Sequence, residues 1–217
     1  MKLNMQLVIA FFVSLAGFVA MSLLVRANHI VRFDGYIISF IQGTETAWLT
    51  TVMKFFTYIG TIRFIAVQSI FVLFFLLKVL KHRLEILIYL AVVFCTPILN
   101  RLLKLYFERA RPDLHRLIEI GGYSFPSGHA MNAFAFYSIL AFLLWRHVPS
   151  RPGRVTVILI SSFMIAAIGT SRIYLGVHYP SDVIAGYLAS GFWVTTVIWV
   201  FQRYQERHFP ALAGAQN

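Results

Sequence analysis

Hydrophobic positions in this chain do not alternate or recur on one stripe; they come in long unbroken blocks separated by short polar punctuation. Six blocks stand out: Leu7 to Val25, Phe64 to Leu77 (extendable to Leu80 past Lys78), Leu84 to Leu99, Ala130 to Trp145, Val155 to Thr170 and Val183 to Phe201. A helix rising about 1.5 Å per residue needs about 20 apolar residues to cross a hydrocarbon core of about 30 Å. The blocks therefore predict an all-α membrane bundle of six transmembrane helices. The first block is longer than the roughly 7–15 apolar residues of a signal peptide, so it reads as a retained span.

Between the first two blocks, residues 26–61 are too polar to span and too long for a tight turn. Ile37, Phe40 and Ile41, then Trp48, Leu49, Val52, Met53, Phe55 and Phe56, recur at helical spacing on either side of Gln42 to Glu45. That pattern predicts two short helices, either lying at the membrane interface or packing on the bundle. With no repeat, linker or low-complexity tract, residues 1–217 read as one domain.

Composition agrees: 59% of the residues are hydrophobic and 12% charged, against roughly 45–50% and 25% in soluble chains. The single cysteine, Cys95, excludes an internal disulfide and any cysteine-rich metal cluster. A formal charge of +11 invites a nucleic-acid reading, but the distribution of the basic residues argues against it. One set of loops holds Lys2, Lys78, Lys81, Arg83, Arg146, Arg151, Arg154, Arg203 and Arg207. On the other side Arg101, Lys104, Arg109, Arg111 and Arg116 crowd together. A dense cationic cluster at one membrane face requires an anionic partner. If that cluster is functional, the first set orients the chain, with both termini cytoplasmic.

Three polar elements cap the later blocks on that cationic face. Lys104 and Arg111 are seven apart; on a helix ended by Pro112 they would share a face. Taken alone, that segment is simply a lipid-headgroup anchor. Next, Pro126-Ser127-Gly128 makes a tight turn into a helix start, where free N–H groups suit a phosphate, and His129 follows in the first turn. Finally, Ser171-Arg172 precedes His178 and Asp182. A carboxylate four residues after an imidazole, at a helix start, can accept its N–H and leave the other ring nitrogen free to attack. Three cations can hold a phosphoryl group as its charge redistributes, and the set has no carboxylate cluster suited to Mg²⁺.

The order Lys-x6-Arg-Pro, Pro-Ser-Gly-His and Ser-Arg-x5-His-x3-Asp, over residues 104–182, resembles the type 2 phosphatidic acid phosphatase superfamily. It is similar to the membrane branch of that superfamily, six-helix bacterial phosphatases of the phosphatidylglycerophosphatase B kind. The resemblance implies a metal-independent lipid phosphatase with no cofactor, acting on undecaprenyl pyrophosphate or phosphatidylglycerophosphate in a bacterial cytoplasmic membrane, its site facing outward. It implies His178 as nucleophile through a phosphohistidine, Asp182 as its orienting partner and His129 as general acid. Lys104, Arg111, Ser127, Gly128 and Arg172 would bind the phosphoryl oxygens. The expected partner is the membrane lipid itself, with no nucleic acid and no obligate protein. A phosphotransferase of the same family, or a non-enzymatic transporter of anionic lipids, would carry the same cations. Glu108, Arg109 and Asp113 read as local salt-bridge partners, His115 as at most a secondary substrate contact, and His29, His82, His147 and His208 as solvated loop residues.

Overall fold

The structure, a computed structural model, describes residues 5–80, 83–113 and 115–208; Lys2, Lys81 and His82 lie outside them. Among the described residues the regular structure is entirely helical. In chain order the helices are α1 (Met5–Arg26), α2 (Val31–Gln42), α3 (Ala47–Ile59), α4 (Ile62–Phe74), α5 (Arg83–Phe107), α6 (Gly128–His147), α7 (Arg151–Tyr174) and α8 (Pro180–His208), with a π-helical turn, Phe75–Leu80, continuing α4.

Short hydroxylated side chains set the starts. Thr46, Thr61, Ser127 and Ser150 each sit in extended backbone and accept the N–H of the residue three positions on, satisfying one of the donors a helix start leaves open. Five helices, α1 and α5 to α8, are each long and apolar enough to cross a membrane. The sixth expected span differs in form. Helix α4 joins α3 through Gly60 and Thr61 in an apolar pair bent by 59°, because Gly60 closes one helix while the Thr61 hydroxyl caps the next. The two predicted short helices are present as α2 and α3, and both pack on the bundle, α2 against α7 and α8 and α3 against α7.

Helices α6 and α8 form the centre, where Ala130, Ala133, Ile139, Leu143, Ala185, Ala189 and Val194 are buried. Helix α1 lies along α8 and turns Phe12, Val13 and Leu23 outward. Small residues permit that approach: a Cβ added at Gly191 would stand 2.7 Å from the Ser14 hydroxyl.

At the end of the bundle away from the cationic face, Glu85 is 2% exposed and faces Arg146 Nε at 3.5 Å and His147 Nε2 at 3.1 Å. His147 is thus no solvated loop residue. It ends α6 against a buried carboxylate, whose burial these partners offset.

Candidate active site

The polar ends of α5 to α8 converge at one end of the bundle. The loop after Tyr174 turns through Gly176, at φ +72°, where an added Cβ would lie 1.8 Å from the His115 carbonyl. Only glycine fits that left-handed, crowded position. This turn delivers His178 to the start of α8, where Tyr179 is the N-cap: its carbonyl accepts the N–H of Asp182 at 3.0 Å and of Val183 at 3.3 Å. Asp182, at the third helical position, accepts the Tyr179 N–H in return at 3.0 Å, one half of a capping box.

Asp182 Oδ2 also lies 3.3 Å from His178 Nδ1, and both residues are buried. Arg111 Nη1 stands 3.1 Å from His178 Nε2. A guanidinium can only donate, so Nε2 carries the lone pair and Nδ1 the proton given to Asp182. Burial first, then the charges of Arg172, Arg111 and Lys104, hold His178 well below the ordinary imidazole value of 6.5. The ring is therefore neutral near pH 7, with its free nitrogen turned toward the cations.

Those cations come from three elements. Lys104, in the last turn of α5, donates to the carbonyl of Tyr123 and, at 3.3 Å, to that of Ser124. Arg111 is held by the carbonyls of Gly122 at 2.9 Å and Val177 at 2.8 Å. Arg172, 1% exposed, donates from Nη1 to the Thr57 hydroxyl of α3, and its buried Nε–H has no hydrogen-bond partner among the described residues. Lys104, Arg111 and Arg172 act electrostatically on His129 as well as on His178, and His178 itself bears on His129. Ser127 caps α6 and donates its N–H to the Asp182 carbonyl at 3.0 Å. Gly128 follows against Asn100, whose Oδ1 would stand 2.8 Å from an added Cβ. All eight residues singled out in the sequence thus gather at this end. Among the described residues, no three His, Cys, Asp or Glu side chains are placed to hold a metal ion.

Two expectations change. Lys104 and Arg111 do not share a helix face: α5 ends at Phe107, and Glu108 takes a left-handed conformation at φ +48°. Three more irregular residues then carry the chain to Pro112, which disfavours helix at Arg111. Arg109 is no local salt-bridge partner. Its guanidinium bridges Asp182 at 2.6 Å and Asp34 of α2 at 2.9 Å and lies 4.1 Å over the Tyr179 ring. Asp113 does pair locally with Arg116 at 3.3 Å, and Glu108 accepts the Tyr123 hydroxyl at 2.9 Å. His115 meets Glu45 at 2.8 Å on the surface.

Asp34, Thr57 and Asn100 went unread. A lone acid inside an apolar helix was a usable signal for Asp34, since such a group needs a partner. Asn100, whose Nδ2 donates to the Pro126 carbonyl at 3.0 Å, was visible in the same way at the end of an apolar run. Nothing in the sequence marks Thr57.

This all-helical bundle, with its pocket of imidazoles and cations at one end, has known counterparts. Residues 85–206 match the PAP2 superfamily. Phosphatidylglycerophosphatase B of Bacillus subtilis is 37% identical over 145 residues, covering 64% of this chain and 69% of that protein. The putative undecaprenyl-diphosphatase YbjG of Escherichia coli is 38% identical over 90 residues, 38% of this chain and 41% of that one. The crystal structure of the transmembrane PAP2-type phosphatidylglycerolphosphate phosphatase from Bacillus subtilis superposes with a TM-score of 0.75 at 28% identity, covering 90% of this chain and 95% of that one. The chain belongs to the PAP2 superfamily and is a multi-span membrane protein of its lipid phosphatase class.

Proposed function

We propose that the protein hydrolyses the terminal phosphate of a membrane lipid through a phosphohistidine at His178. The observation that carries the proposal is the neutral Nε2 of His178, oriented by Asp182 and facing Arg111, with a buried Arg172 that bears electrostatically on the ring and keeps an unpartnered Nε–H. Its lone pair attacks phosphorus as the bond to the lipid oxygen breaks. His129, protonated once the anionic phosphoryl group offsets the surrounding cations, gives its proton to that departing oxygen. Arg111 moves from Nε2 to a phosphoryl oxygen, and Arg172, Lys104, the Ser127 hydroxyl and the Gly128 N–H hold the others. Water then attacks the P–N bond, His129 takes one of its protons, and phosphate leaves with Nε2 restored. The three cations neutralise the transferring group, the task Mg²⁺ performs in many other phosphoryl-transfer enzymes, so no metal enters the scheme.

Phosphatidylglycerophosphate is the leading substrate because the relative matched over the greater length carries that activity in its name. Undecaprenyl pyrophosphate is the second, favoured by the shorter match to the putative undecaprenyl-diphosphatase. The bacterial relatives favour the cytoplasmic membrane of a bacterium, and with the cationic cluster committed to substrate the remaining loop charges put the site outward and the termini inside. The test is phosphate release from these lipids by purified protein in detergent, with no acceptor lipid and with His178→Ala as blank. Release by the wild type alone is expected. Turnover only with an acceptor alcohol would make the protein a phosphotransferase, and lipid movement that survives in a catalytically silent wild type would make it a transporter.

A further inference from the structure

We propose that Asp34, on helix α2 and far outside the signature segments, is a positioning residue for phosphoryl transfer. Acting through Arg109 and the first turn of α8, it holds Asp182 and hence His178 in the attacking geometry. The inference rests on the phosphatase reading above.

Helix α8 begins without a short capping side chain of its own at the N-cap position. Tyr179 is the N-cap of α8, and a phenol cannot reach back to the first-turn N–H groups as Ser, Thr or Asp would. Pro180 has no N–H to satisfy, leaving Ser181 as the first open donor. Asp34 supplies the acceptor in trans: Oδ1 accepts the Ser181 N–H at 2.8 Å. Its Oδ2 accepts the Ser181 hydroxyl at 2.6 Å and Arg109 Nη2 at 2.9 Å. Arg109 Nη1 in turn donates to the Ser181 hydroxyl at 2.7 Å and to Asp182 Oδ1 at 2.6 Å. One guanidinium is thus clamped between two buried carboxylates, 2% and 0% exposed.

That arrangement divides the labour on Asp182. Oδ1 is occupied by Arg109, and Oδ2 is left to the Tyr179 N–H and His178 Nδ1. Without Asp34, Arg109 loses its second anchor and α8 its trans cap. The carboxylate that orients His178 can then rotate or take a proton. None of the phosphate-binding cations touches Asp34, so substrate binding stays intact while chemistry slows.

The test uses the full-length protein in mixed micelles of phosphatidylglycerophosphate, comparing Asp34→Ala, Asp34→Asn and Arg109→Lys. The expected result is a kcat lower by about 10- to 100-fold for Asp34→Ala, the scale of a displacement near 1 Å at a reacting group. KM and the inhibition constant of inorganic phosphate stay within about threefold of wild type. Asp34→Asn keeps an acceptor for Ser181 but not the charge for Arg109, so it falls between Ala and wild type. A folded Asp34→Ala with kcat within about twofold of wild type overturns the proposal, as does a loss spread equally over kcat and phosphate affinity. Should Asp34→Ala not fold, Asp34→Asn and Ser181→Ala decide by the same criteria. His178→Ala in the same assay separates the two claims. If it stays active, the phosphohistidine reading at His178 fails; if it is inactive while the Asp34 variants run at full speed, only the positioning role fails.

Discussion

Arg172→Lys isolates what geometry contributes beyond charge. The native side chain is 1% exposed, spends Nη1 on Thr57 and holds a buried Nε–H without a partner. A lysine keeps the positive charge, but its compact ammonium cannot reach the Thr57 hydroxyl and a phosphoryl oxygen from two fixed points of a planar fork. The loss is therefore one charge-assisted hydrogen bond, about 1.5–3 kcal/mol. At about 1.36 kcal/mol per factor of ten, kcat/KM should fall by about 10- to 150-fold. Thr57→Val leaves the charge and the fork but frees the guanidinium, so its loss should be smaller, about tenfold or less from one ordinary hydrogen bond. Initial rates of phosphate release at subsaturating lipid in detergent micelles measure both variants directly. An Arg172→Lys enzyme within about threefold of wild type would refute the claim that the fork, rather than the charge alone, serves the transferring phosphoryl group.

Three further outcomes are expected. The reactive form of His178 is neutral, and its imidazole is held well below 6.5, so kcat/KM should hold its plateau to below pH 6.5 before the acid limb falls. Arg111→Gln removes one of the cations that depress it, so the limb should move to higher pH; a fixed limb or one moving lower would count against this electrostatic account. Activity should persist in excess EDTA, and a strict, reversible Mg²⁺ requirement would defeat the cation-based mechanism. At the far end of the bundle, Glu85→Ala should cost about 1.5–3 kcal/mol by removing the carboxylate that Arg146 and His147 share. A lowered melting temperature with unchanged kcat of the folded fraction would show it, and an unshifted melting temperature would contradict it.

Much of this molecule was legible without coordinates, because the features concerned are local. A lipid-facing helix must be apolar along its whole length, so the five long spans appear as unbroken blocks. The start of α6 was legible at the Pro126-Ser127-Gly128 turn because a short hydroxyl finds its N–H three residues on. The spacing of His178 and Asp182 placed them together because four residues across a helix start is a fixed short distance. Only the tertiary structure decided what lies between distant segments. Arg109 has its carboxylates at positions 34 and 182, Arg172 its hydroxyl at position 57, and His147 its acid at position 85. Such pairs follow from which helix ends the bundle brings side by side, and no period or spacing along the chain encodes that. The same holds for Arg111: Pro112 bounded the helix from one side, but the carbonyls of Gly122 and Val177 that receive its guanidinium come from segments distant along the chain.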